Sequence, residues 1–152
     1  MEEKYDKIKE VIQDILRHMD MSAEIETRFL EETVIFNLRT PDSAMLIGQH
    51  GANLNSLQYL ARLLSYKRLG EGAAFVVDVE NYKKIREEFL RELARQAAAR
   101  VRETKESLLL KPMSAYERRV IHAEVGLLPD ITSESVGEEP ERKVLIKLKS
   151  AV

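Results

Sequence analysis

The 152-residue sequence predicts an α+β protein of two small domains, residues 1–80 and 81–152. Three observations carry this reading. Apolar residues recur at three- and four-residue steps in several segments, the mark of helices with one buried face. Between those segments, short stretches alternate apolar and polar residues with period two, as half-buried strands do. Strand patterns occur in both halves of the chain, separated by one long helical pattern that begins just after residue 80, and the length accommodates two small units.

From the N-terminus, Tyr5, Ile8, Ile12, Ile15 and Met19 mark one face of an amphipathic helix. In AEIETRF, Ala23, Ile25, Thr27 and Phe29 alternate with Glu24, Glu26 and Arg28, and in VIFNLRT the alternation returns with Val34, Phe36 and Leu38. The polar EET between them makes the pair an antiparallel hairpin. Pro41 and Asp42 end the second strand. A short helical turn follows, then Gly48 and Gly51, then a helix with Leu54, Leu57, Ala61 and Leu64 on one face. Gly70 and Gly72 break that helix, and AAFVVDV is a third strand. The order to residue 80 is helix, strand, strand, helix, helix, strand.

Asn81 stands where an N-cap is expected for a long helix. In that helix Ile85, Phe89, Leu93, Ala97 and Val101 recur at every fourth residue. The apolar patch Leu108–Leu110 and Pro112 interrupt it. Ser114 and Glu117 have the spacing of a capping box, in which each side chain bonds the other's backbone amide, and Gly126 suits the C′ position of the shorter helix between them. Strands at Ile131–Val136 and Arg142–Lys149, joined by GEEPE, close the chain. The second domain is thus a long helix, a short helix and a small antiparallel sheet.

Composition narrows the function classes. The sequence has no cysteine, which removes disulfides and thiolate metal sites, and its acidic, polar N-terminus is not a signal peptide. No apolar run approaches the length needed to cross a bilayer, so no membrane insertion is expected and the cytoplasm is the default compartment. His18, His50 and His122 are the histidines, with no clustered metal-ligand spacing. No metal, cofactor or catalytic residue is expected. The net charge of −2 opposes a simple polyanion binder. Its distribution says more: residues 81–122 hold 11 Lys and Arg against 6 Glu, and Ser43–Gly70 carries Arg62, Lys67 and Arg68 with no acid at all.

Two short constellations could carry chemistry. Gly48-Gln49-His50-Gly51 joins two helices, and a turn with glycine at both ends can bring its backbone close to a ligand. The amides opening the next helix then offer partial positive charge to a phosphate. The same spacing also fits a plain helical corner. The second constellation is Arg118-Arg119-Val120-Ile121-His122. Arg118 and His122 are four apart and share a helix face, a planar donor fork beside an imidazole that can donate or stack. The competing structural roles are a buried network for His122 and an ion pair for Arg118.

A GxxG turn between two helices, after two strands and before a third, resembles the type II KH domain, whose loop holds about four nucleotides by their backbone. PMSAYERRVIH followed by GEEPERKVLI resembles the R-x-x-x-H domain, a binder of single-stranded nucleic acid. Both in this order, with IGQHGANLNSLQYLA and VGEEPERKVLI, resemble over nearly the whole chain the Jag family of SpoIIIJ-associated bacterial RNA-binding proteins. Many members carry a further N-terminal Jag domain, whereas this sequence opens directly at the KH helix. The family usually has Lys or Arg between the two glycines; here those positions are Gln49 and His50, so a weak loop grip that depends on the second domain is expected.

The resemblance implies a non-enzymatic single-stranded RNA-binding protein, an RNA chaperone or regulator linked to cell shape, envelope or division. The contacts it implies are Gly48, Gln49, His50, Gly51 and Asn53 in the first domain, and Arg118, Arg119 and His122 in the second. Lys83 and Arg91, on a basic helix face with Lys84, Arg86 and Arg95, would hold the continuation of the strand. Single-stranded DNA is the nearest variant, since no residue identifies a contact to the 2′-hydroxyl. The alternative from another class is an interaction module with little nucleic-acid binding, which forms a homodimer or pairs with a partner KH-domain protein. A nuclease using His122 and a carboxylate is the enzymatic alternative.

Overall fold

The computed structural model describes residues 2–150. Helix α1 (Glu2–His18) buries Ile8, Val11, Ile12, Ile15 and Leu16, and sets acids in its first turn against bases in its last, as the helix dipole favours. Met19 lies past its end and is exposed. Strand β1 (Glu24–Phe29) pairs antiparallel with β2 (Val34–Arg39), Thr27 opposite Phe36. As an edge strand β1 buries no residue completely; Phe29 is exposed and meets the edge of the Tyr5 ring at 5.9 Å.

Strand β3 (Phe75–Val79) lies on the other side of β2 and runs parallel to it, giving the order β1-β2-β3. A parallel neighbour needs a crossover. It is supplied by α2 (Ser43–Ile47), a 3-10 turn (Gln49–Gly51) and α3 (Ala52–Leu69). The core between α1, α3 and the sheet holds Ile8, Ile12, Phe36, Leu38, Leu54 and Val77. Gln58 of α3 is buried yet satisfied. Its Oε1 accepts from the Val77 amide at 2.5 Å and its Nε2 donates to the Phe75 carbonyl at 3.3 Å, so a side chain closes part of the free edge of β3.

The tertiary contacts divide the chain into two units, between Lys84 and Ile85. The second holds most of α4 (Tyr82–Thr104), with β4 (Leu108–Leu109), α5 (Ala115–Val125), β5 (Ile131–Val136) and β6 (Lys143–Leu148). Its sheet is antiparallel in the order β4-β6-β5. Leu90, Ala94, Ala97, Ala98 and Val101 of α4 pack with Ile121, Val125, Val144 and Ile146.

Several expectations about local structure are corrected. A strict four-residue step advances 40° around a helix each time, so the buried stripe of α4 cannot follow Ile85–Phe89–Leu93–Ala97–Val101. Ile85 and Phe89 are exposed, and Leu90, Ala94 and Ala98 take the core positions. Asn81 precedes α4 in the left-handed conformation (φ 54°), and its side-chain oxygen accepts from Arg28. Asp78 Oδ1, at 3.3 Å from the Lys83 amide, does the capping. Ser114 caps α5 as expected, accepting from the Glu117 amide at 3.3 Å. The Glu117 carboxylate turns instead to Arg86. Gly126 is right-handed (φ −61°), so no left-handed cap forms there. Leu64 is exposed, whereas Ser65 on the same helix is buried. No described helix is long and apolar enough to cross a membrane.

Candidate nucleic-acid interface

The turn between α2 and α3 has left-handed backbone at Gly48, His50 and Gly51. Gly48 ends α2 at φ 70° and ψ −171°, a combination open almost only to glycine, and its amide donates to the Ala44 carbonyl at 3.0 Å. Gly51 precedes α3 at φ 83°, and a Cβ there would come within 3.0 Å of the Tyr82 ring. His50, between them, is left-handed as well (φ 53°). The conformation pushes Gln49 and His50 into solvent.

Helix α3 starts with no side-chain cap and no acid in its first turn. Its opening end therefore keeps a partial positive charge that neither a cap nor an acid of its own first turn offsets. Asn53 is engaged with the turn itself: its Nδ2 donates to the Met45 carbonyl at 2.8 Å and ties α3 to α2. Lys83 is half-buried, and burial lowers the pKa of its ammonium group, with Asp78 opposing and Arg62 adding to the lowering.

In the second unit Arg118 and His122 share a face of α5, but both are tied to their surroundings. Arg118 is 7% exposed; its Nη1 donates to the Met113 carbonyl at 2.7 Å and its Nη2 pairs with Glu139 at 2.9 Å. The two ring nitrogens of His122 lie 2.7 Å from Ser133 Oγ and 2.8 Å from Ser135 Oγ. Burial lowers the imidazole pKa below its usual 6.5, and the Arg118 and Arg142 guanidinium groups lower it further. At neutral pH His122 is an uncharged neighbour of Arg118 rather than a second cation. Nothing local in the sequence marks Ser133 and Ser135 as partners of His122, although their spacing of two along ITSESV places both hydroxyls on one strand face.

Linkage makes the lowered pKa testable. The unfolded chain takes up the His122 proton first, so stability that is full above pH 6.5 is lost as pH falls from 6.5 towards the folded value. Thermal melts between about pH 5 and about pH 7.5 are expected to show a smaller acid loss for His122→Gln than for the parent. An identical pH slope in the two proteins would count against this account.

The structure sets acids against the basic face of α4. Arg86 pairs with Glu117 at 2.8 Å, Arg91 with Glu87, Arg95 with Glu92 and Glu124 at 3.1 and 2.8 Å, and Arg102 with Asp130 at 2.7 Å. Arg119 is exposed and makes no ion pair among the described residues. It meets Arg91 across a recess of about 300 Å³ that Tyr116 and Glu87 also line. Burial, and then Glu87, raise the Tyr116 pKa, so its hydroxyl stays protonated and able to donate. Among the described residues no three His, Cys, Asp or Glu side chains are grouped to hold a metal.

Comparison with known proteins adds a second line. The family of R-x-x-x-H domains matches residues 88–148, a span that contains Arg118 and His122. The chain is 38% identical over 146 residues to the RNA-binding protein KhpB of Clostridium symbiosum, covering 95% of this chain and 66% of that one. It is 32% identical over 152 residues to the RNA-binding protein KhpB of Bacillus subtilis strain 168, covering 97% of this chain and 73% of that one. The protein of the same name from Lactiplantibacillus plantarum is 30% identical over 135 residues, and there the chain spans 42% of the relative's length.

Proposed function

The chain belongs to the KhpB family of RNA-binding proteins, and from that membership we propose that it binds single-stranded RNA without catalysing a reaction on it. The observation that carries the reading is the Gly48–Gly51 turn, which combines left-handed backbone, exposed Gln49 and His50, and a helix with no acid in its first turn. The element order of the first unit supports its assignment as a type II KH domain, in which this loop lies along the phosphate backbone. Asn53 keeps the loop in shape, and Lys83 stands beyond it.

In the second unit, Arg119 and Arg91 meet the strand at the surface. Phosphate reaches the Arg118 fork by displacing the exposed Glu139 carboxylate, while neutral His122, both ring nitrogens held by Ser133 and Ser135, places no second charge beside it. Each site is modest, and two sites on one chain combine through effective concentration. The Jag resemblance extends the proposal to an RNA-chaperone or regulatory role in cell shape, envelope or division.

Anisotropy titration with a labelled single-stranded RNA tests the loop. Gln49→Asp with His50→Asp places two negative charges against phosphate, and affinity is expected to fall about tenfold with folding intact. Unchanged affinity removes the loop from the site. Single-stranded DNA in the same titration settles the nucleic-acid type, and intact RNA after incubation with Mg²⁺ is expected of a binder.

One observation favours the interaction-module reading. Between α1 and α3 lies a recess of about 650 Å³ lined by Val11, Ile15, Met19, Leu60 and Leu64, a surface suited to a second KH domain, from this chain or a partner. Light scattering with and without oligonucleotide separates the two readings.

A further inference from the structure

Strand β3 turns into α4 through an elbow, residues 78–82, whose backbone runs against the ordinary preference of its residues. Glu80 and Asn81 are both left-handed, at φ 50° and φ 54°, and neither is glycine. Such residues persist only where their surroundings fix them, and they collect at functional sites. We infer that the elbow seats the Tyr82 ring against Gly51, and that Tyr82 is a positioning residue for the glycine turn, setting the shape in which Gln49 and His50 meet a phosphate backbone. The inference rests on the RNA-binding reading above and deepens it. Every residue it uses belongs to the first unit.

Buried polar side chains hold the elbow. Asn37 of β2 is buried, and its Oδ1 accepts from the Asn81 amide at 3.0 Å. Asp78 is buried as well; one carboxylate oxygen accepts from the Val79 amide at 2.8 Å and from the Lys83 amide at 3.3 Å. The Glu80 amide donates to the Leu38 carbonyl at 2.9 Å, and the Glu80 carboxylate accepts from the Thr40 amide at 3.0 Å. Arg28 Nη2 donates to Asn81 Oδ1 at 3.0 Å. An amide and a carboxylate are costly to bury unless they are bonded, and here their bonds go to the backbone of the elbow. An unstrained connection also joins a strand to a helix, so the distortion serves something beyond the joint itself.

What it fixes is the first residue of α4. Tyr82 is half-buried against the core of the first unit. A Cβ at Gly51 would stand 3.0 Å from Cε1 of its ring and 3.8 Å from Cζ and Oη, so the ring fills the space of a side chain at 51. Gly51 is left-handed and directly precedes α3, with His50 on its other side. A contact at Gly51 therefore acts on the loop and on the helix start together. Asn53 crowds the other glycine, Gly48, and is bonded to the Met45 carbonyl. The turn is thus held at both ends, with Gln49 and His50 exposed between the two props. A loop fixed in its binding shape has less order to acquire when the ligand arrives.

The test uses the full chain, a labelled single-stranded RNA titrated by anisotropy, and the amide NMR signals of residues 48–51 in the free protein. Tyr82→Ala is expected to shift those signals and to weaken binding about fivefold, and Tyr82→Phe, which keeps the ring, to restore both. A merely structural residue would leave affinity unchanged wherever the variant is folded by circular dichroism. The deciding step combines Tyr82→Ala with Gln49→Asp and His50→Asp. Because Tyr82 acts through the turn, its loss is expected to cause no further weakening once the grip of the turn is gone. An equal weakening in both backgrounds overturns the positioning role, as does a folded Tyr82→Ala whose loop signals match the parent. If Tyr82→Ala does not fold, Tyr82→Leu, which keeps apolar volume without the ring, carries the same comparisons. Loop signals that shift in Tyr82→Ala, while Gln49→Asp with His50→Asp leaves affinity intact, overturn the loop's part in RNA binding and leave the hold of Tyr82 on the turn standing.

Discussion

Replacing Glu117 with alanine is expected to lower the stability of the second unit by about 3 kcal/mol, the scale found when one partner of a buried ion pair is removed. The Glu117 side chain is 7% exposed and that of Arg86 19%, so little solvent screens the pair. Arg86 Nε donates to Oε1 at 2.8 Å, Nη2 reaches Oε2 at 3.4 Å, and the guanidinium lies 5.0 Å from the centre of the Phe89 ring. Truncation leaves that guanidinium desolvated with no carboxylate. Urea unfolding measures the loss, and hydrogen exchange on α5 peptides locates it. Ser114→Ala, which removes the cap but not the charge pair, is expected to cost only about 1 kcal/mol. Arg86→Met with Glu117→Met should recover much of the loss, because apolar groups of similar size do not need each other's charge. A Glu117→Ala loss no larger than that of Ser114→Ala would contradict the account.

The same pair shows what was legible in the sequence and what was not. Ser114 and Glu117 announce the start of α5 because a cap depends on residues three apart in the chain. The destination of the Glu117 carboxylate depends on α4, 31 residues away, and no local pattern encodes it. The hairpin β1–β2 was readable from period two and a short polar break, whereas β4 has only two residues and shows no alternation. The strict four-step stripe on α4 failed at Ile85 and Phe89 because helical drift, not chemistry, decides which apolar residues reach the core.

In the candidate site the glycine spacing was readable, since the need for φ above zero is written in the residue type. The electrostatics were not. Charge counts put a surplus of cations along α4, yet folding brings carboxylates from its own turns and from Glu117, Glu124 and Asp130 onto that face. The acid-free span Ser43–Gly70 keeps part of its charge: Arg68 pairs with Asp14 of α1, but Arg62 makes no ion pair among the described residues and donates to the Phe75 carbonyl at 3.5 Å.

Gly48→Ala is expected to destabilise the first unit by about 3 kcal/mol, through two separable effects. The first is backbone strain. At φ 70° and ψ −171° an L-residue clashes with its own chain, at a cost of order 1–3 kcal/mol. The second is collision, because the new Cβ would stand 2.5 Å from Cγ and 2.7 Å from Nδ2 of Asn53. Asn53 cannot step aside freely, since its Nδ2 bond to the Met45 carbonyl at 2.8 Å joins α2 to α3. A double-mutant cycle divides the effects. Asn53→Ala alone loses one exposed hydrogen bond, about 1 kcal/mol. Combined with Gly48→Ala it removes the Cγ and Nδ2 collisions while the Cβ of residue 53 stays 2.9 Å from the new Cβ, so the double variant should be less destabilised than the sum by about 1 kcal/mol. Strict additivity would mean that the Asn53 amide group adds nothing and that the backbone angle and the Cβ contact demand glycine at 48. In either case the turn loses the conformation that exposes Gln49 and His50, so Gly48→Ala should weaken RNA binding even below the temperature at which it unfolds, while a variant that binds normally would detach the loop's shape from its proposed role.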